Sequence, residues 1–226
     1  MIKNLASSAM LAGVLTGIIA SALQFYFVIP LVLEGELYET GARIHFPVDG
    51  SPQSEAGAPG LGGEWGRHLM TVAFNFVSFT AYGLILVALM AYAALRGVAV
   101  TPKSGLLWGL AGFTAVQLAP AMGLPPELPG TIAPEVMPRQ IWWSGTIIAS
   151  AAGLALIAFG RGLPMILGGA ALLLLPHLIG APHLDTYWGV SAPELAAHFA
   201  TVSLGVAAAS WAVLGTLCAW FYQKVE

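Results

Sequence analysis

The sequence predicts an all-α, polytopic membrane protein, with six transmembrane helices arranged as three helical hairpins in one domain covering residues 1–226. Three observations carry this reading. Hydrophobic residues make up 58% of the chain and charged residues only 8%, with a mean hydropathy of +0.81. A soluble domain carries about 25% charge, so there is too little polar surface here to cover a globule in water. A soluble enzyme, a nucleic-acid binder and a disordered chain are excluded together. The charges are also confined to a few places, and the runs between them reach the ~20 residues that cross a hydrocarbon core ~30 Å thick. Finally, those runs are continuously apolar and lack the ~10-residue alternation of transmembrane strands, which selects helices.

The first span, about 5–31, lies in the uncharged run Asn4 to Leu33. Lys3 precedes it and Ala20-Ser21-Ala22 imitates a cleavage site. The apolar run continues well past a 7–15-residue signal h-region, which predicts a retained helix. An outer loop is expected over 34–67, with a middle (Pro47 to Gly63) rich in Gly, Pro and Ser that resists regular structure. The second span, 68–95, interrupts its apolar run only with His68. A short link from Arg96 to Lys103 leads to the third, 104–124, and the fourth covers 140–160. Arg161-Gly-Leu-Pro164 then connects to 164–181, and the last span is 195–222. Such short links make antiparallel neighbours, hence hairpins. Pro30, Pro120 and Pro176 punctuate the three odd spans near the same end, as a weak internal repeat or as common turn chemistry.

Small residues recur at helical spacing. Ala9, Gly13, Gly17 and Ser21 form one ladder, Gly105 and Gly109 a second, and Gly145, Ala149 and Gly153 a third. In lipid such ladders let backbones approach closely. Trp65, Trp142, Trp143 and Trp188 are expected in an outer aromatic belt, with Trp108 and Trp220 at the inner one. Six spans put both termini on one side, together with Lys3, Arg96, Lys103, Arg161 and Lys224. Only Arg43, Arg67 and Arg139 fall opposite, so the positive-inside rule makes the termini cytoplasmic. Ten of the eleven acids lie on the outer side, a face that attracts cations.

The chain has no phosphate-binding GxxxxGK[ST] loop and no HExxH, and its lone Cys218 allows neither a disulfide framework nor a thiolate cluster. No nucleophile-and-base pairing stands out, so no enzyme is predicted. Histidine, by contrast, is unevenly distributed: His45, His68, His177, His183 and His198 all fall at the outer side or in the outer parts of spans. Imidazole and carboxylate suit divalent transition metals such as Co²⁺, Ni²⁺, Zn²⁺ or Mn²⁺. The densest group is His177, His183 and Asp185, followed by Glu194 and His198, which stand four apart and share a helix face. These five are the candidate metal ligands, and the hairpin of spans five and six is expected to bring them together. Each histidine could instead simply satisfy a loop carbonyl. His68 is a further ion-path candidate, as are Glu127 in the stiff turn 123–130 and Arg139, which pair either functionally or as a structural ion pair. Gln24, Asn75 and Gln117 line a path or tie helices together, the second being the commoner use.

Three of these stretches, Pro-Pro-Glu-Leu-Pro-Gly at 125–130, Arg-Gln-Ile-Trp-Trp at 139–143 and Leu-Pro-His-Leu-Ile-Gly-Ala-Pro at 175–182, resemble the CbtA family of predicted cobalt transporter subunits. The resemblance spans nearly the whole chain. It implies a membrane subunit of a cobalt uptake system in a prokaryotic inner membrane, with Co²⁺ as transported ligand and no tightly bound cofactor. It also implies a small single-span partner resembling CbtB, with a histidine-rich end, and supports His177, Glu127 and Arg139 as family positions. The alternative is a non-transporting structural subunit of a larger membrane assembly.

Overall fold

A computed structural model describes residues 2–45, 57–186 and 189–225, and among these the chain is helical, with one isolated antiparallel bridge between Thr131 and Gly189. Helix α1 (Ile2–Leu23) runs through a five-residue π-helical turn (Gln24–Val28) into α2 (Ile29–Glu39). Helix α3 covers Trp65–Leu95. Helix α4 (Pro102–Phe113) runs through a second π turn (Thr114–Leu118) into the single turn α5 (Ala119–Ala121). Helices α6 (Val136–Phe159), α7 (Leu163–Ile179) and α8 (Pro193–Val225) complete the order.

Each π turn ends two residues before a proline, Pro30 or Pro120. A proline lacks the N–H of the regular ladder and its ring crowds the carbonyl four residues back. Widening the preceding turn relieves that crowding, so the helix continues through the proline. Pro176 lies inside α7 without such a turn, so the third member of the sequence repeat differs in kind.

Four helices are long and apolar enough to cross a membrane among the described residues: Lys3–Glu39, Trp65–Leu95, Val136–Phe159 and Pro193–Lys224. They match the first, second, fourth and sixth predicted spans. Helix α7 is apolar, but its 17 residues extend only about 25 Å, short of a ~30 Å core. The third predicted span is divided among α4, the π turn and α5, and its glycines, Ser104, Gln117 and Pro120 dilute its apolar character.

The expected boundary of the long loop is corrected. The helix does not stop at Glu34 but continues to Glu39, burying Leu33, Gly35 and Tyr38. Charge ends an apolar run without ending a helix. Glu34 is held by Arg43, whose Nη1 donates to Oε1 at 2.8 Å, and Thr40 caps the helix by donating to the Glu36 carbonyl. The central part of that loop, 46–56, lies outside the described residues, as does Trp188.

The chain forms two compact units. The first comprises Met1–Tyr26, Gly62–Phe113 and Gly205–Glu226. In it the predicted ladder on α1 packs on α3: a Cβ on Gly13 would stand 2.5 Å from the Thr80 Cα, and the carbonyl of Ala9 lies against Gly83. Gly105 and Gly109 of α4 approach the backbone of Gly215 and Trp211 on α8 in the same way. Met90, Val87, Leu214 and Cys218 fill the core between them.

The second unit comprises Phe27–Leu61 and Thr114–Leu204. Helix α6 lies on α7 where Gly153 and Gly169 face each other, each with a Cβ position under 3 Å from the other's carbonyl. The ladder expected on α6 is corrected here. Gly145 meets nothing within 4 Å, and the buried face is Trp142, Thr146, Ser150 and Gly153. Both rows end on Gly153 and step at helical spacing. The row that turns inward is the one carrying an indole whose N–H has a buried acceptor to reach.

Candidate functional site

The most constructed place in the second unit is built around Trp142. This residue was expected in an exposed aromatic belt, but it is 9% exposed, whereas Trp143 beside it is 43% exposed. An indole N–H removed from water needs an acceptor, and Trp142 Nε1 donates to the carbonyl of Pro176 at 3.0 Å. That carbonyl also accepts the N–H of Gly180, which closes α7 with φ +88°, a conformation that disfavours side chains. The next residue, His177, sets its ring against the Trp142 indole edge-on, with centroids 5.9 Å apart and planes at 68°. Gly123 lies against the far end of the same indole and against Ala181, and a Cβ there would stand 2.7 Å from each.

The turn that follows Gly123 is rigid by composition, with Pro125, Pro126 and Pro129 restricting φ. Leu128 is buried and packs with Pro129 on Gly35 of α2. Glu127 Oε2 accepts from Arg139 Nη2 at 2.8 Å, so the ion pair read as possible from the sequence is formed. Both side chains are about a quarter exposed, and such pairs add at most about 1 kcal/mol. Three sequence-distant segments, 123–130, 139–143 and 175–182, thus meet around one indole.

The other predicted ligands are distributed differently. His183 is exposed, with Nδ1 3.2 Å from the carbonyl of Leu184. Asp185, Glu194 and His198 are exposed, and Glu194 occupies the first turn of α8, where a carboxylate complements the helix dipole. His177 is half-buried. Among the described residues no three His, Cys, Asp or Glu side chains stand together as a metal ion would require. His45 is half-buried at the edge of the described loop.

His68 stands in the first unit, 6% exposed, with Phe25 and Trp65 edge-on at 5.3 and 6.3 Å. Two turns further along α3, Asn75 donates to Ser21 Oγ and Gln24 Oε1, both at 3.0 Å, and accepts from Gln24 Nε2 at 3.3 Å. These amides tie α1 to α3. Asn75→Leu is expected to lower stability by roughly 1–2 kcal/mol in a detergent unfolding titration. Unchanged stability would return Asn75 to the role of a path residue. The Glu34 clamp was missed by sequence reading: its Oε1 accepts both Arg43 and the backbone N–H of Gly57. A nearby opposite charge nine residues on was the available signal.

No curated protein and no solved structure matches the chain. A family model described as "Probable cobalt transporter subunit (CbtA)" matches residues 2–223. The match covers nearly the whole chain, and the helices of membrane-crossing length agree with it, so the chain belongs to the CbtA family of probable cobalt transporter subunits.

Proposed function

We propose that this chain is the membrane subunit of a cobalt uptake system, with all six predicted spans crossing the bilayer, both termini cytoplasmic, and the Trp142 assembly at the outer mouth. The observation that carries this reading is the meeting of the three segments by which the chain resembles its family: Trp142 donates to the Pro176 carbonyl and packs against His177, and Arg139 pairs with Glu127. The basic residues support the orientation, because Lys3, Arg96, Lys103, Arg161 and Lys224 flank the opposite helix ends. His177 is the principal candidate for meeting Co²⁺, since its imidazole makes no protein hydrogen bond among the described residues and is borderline in softness. His183, His198, Asp185 and Glu194 are its candidate companions, and the acidic outer residues concentrate the cation. The exposed apolar helix faces suit lipid and a small single-span partner subunit.

The test is elemental measurement of cobalt in cells with and without the chain, alone and with its partner subunit. Accumulation that depends on the chain supports the reading. Unchanged cobalt, with the chain recovered in a stoichiometric larger assembly, favours a structural subunit instead, a role consistent with the helix-tying Asn75 and Gln24. A reporter fused after Glu226 should be active only as a cytoplasmic fusion, and activity only on the opposite side would overturn the orientation.

A further inference from the structure

We infer that Trp142 is a positioning residue for His177, setting the cobalt affinity of the chain through its indole N–H without touching the metal. The inference rests on the reading of His177 as a cobalt-meeting residue. Its grounds lie within the second unit. Trp142 is held on three sides: its N–H on the Pro176 carbonyl at 3.0 Å, its edge on the His177 ring, and the far end of its bicycle on Gly123. The carbonyl it grips belongs to the peptide unit that leads directly into His177. That carbonyl therefore sets the direction in which the His177 Cα–Cβ bond leaves the last turn of α7.

Alone, the Pro176 carbonyl is held by Gly180 only, the bond that ends the helix. Such terminal turns fray. Pro176 supplies no N–H of its own, so the turn beneath His177 is one ladder bond poorer than a regular helix. The bond from Trp142 replaces a local constraint with one from another helix. A half-buried imidazole resting on an indole edge then has fewer orientations to lose when a ligand binds, and preorganisation of this kind appears in affinity. Gly123 completes the device, because only a residue without a side chain lets the turn seat the indole this far in.

Two substitutions act on the N–H and one on its seat. Benzothienylalanine at position 142 keeps the bicyclic ring and removes only the N–H, while Trp142→Phe removes the N–H with part of the ring. Gly123→Ala displaces the indole from behind. In cells carrying the full chain and its partner subunit, each is expected to raise the KM for cobalt uptake about fivefold, the value of one hydrogen bond. Maximal rate per molecule in the membrane should be unchanged. A purely structural tie would lower abundance and maximal rate together and leave KM alone, and that outcome overturns the inference. An unchanged KM with benzothienylalanine also overturns it, even where Trp142→Phe does not accumulate. His177→Ala separates the two levels: a normal KM there removes the underlying reading of His177. A raised KM for His177→Ala with a normal one for benzothienylalanine defeats the positioning role alone.

Discussion

His177→Ala is expected to lower cobalt accumulation by more than about tenfold at low external cobalt, with the protein still inserted at normal abundance. Even partners outside the coordination shell cost ~10–100-fold in metal affinity when removed, and a ligand matters more. The fold should tolerate the change, because the bonds that end α7 run through the carbonyl of Pro176 and the N–H of Gly180, not through the imidazole. His198→Ala is expected to reduce accumulation as well, whereas His45→Ala should not. Metal content per cell, normalised to membrane abundance, is the measurement. Normal accumulation by His177→Ala would withdraw the candidate site, and loss of the protein from the membrane would show that His177 serves the fold.

Gly215→Leu is expected to destabilise the folded chain by about 3 kcal/mol or more, enough to deplete it from the membrane. A Cβ at Gly215 would enter the backbone of Gly105 and Gly109, which cannot rotate away as a side chain can. Helices α4 and α8 would have to separate along their length, losing the packing that holds them in lipid, where no hydrophobic force between helices compensates. Gly145→Leu is the control, because nothing lies within 4 Å of that position. Equal abundance and equal unfolding midpoints for the two variants would show that the α4–α8 approach does not hold the unit together.

Much of this was legible in advance because a bilayer imposes simple rules. Apolar runs had to become helices, since every backbone group in the hydrocarbon must be satisfied within its own segment. The ladder Ala9, Gly13, Gly17 and Ser21 packs on α3 as its spacing implied, and Glu127 found Arg139. Trp142 and Trp143 are indistinguishable by composition, yet one is buried and the other faces outward. The register of α6 decided between them, and register depends on which of two helically spaced rows meets α7.

The sequence by itself therefore determined the membrane class, the presence of most of the helices and the family resemblance, because hydropathy and short motifs are local properties. Only the tertiary structure decided the pairing of α4 with α8, joined by Gly105, Gly109 and Gly215 across about a hundred residues. It alone extended the first helix through the charged residues to Glu39, since Arg43, Leu128 and Pro129 supply the neighbours that hold it there. It alone drew Gly123, Trp142, Pro176 and His177 together. A carbonyl in the last turn of one helix and an N–H taken from water on another find each other through space, and nothing in their separation along the chain announces it.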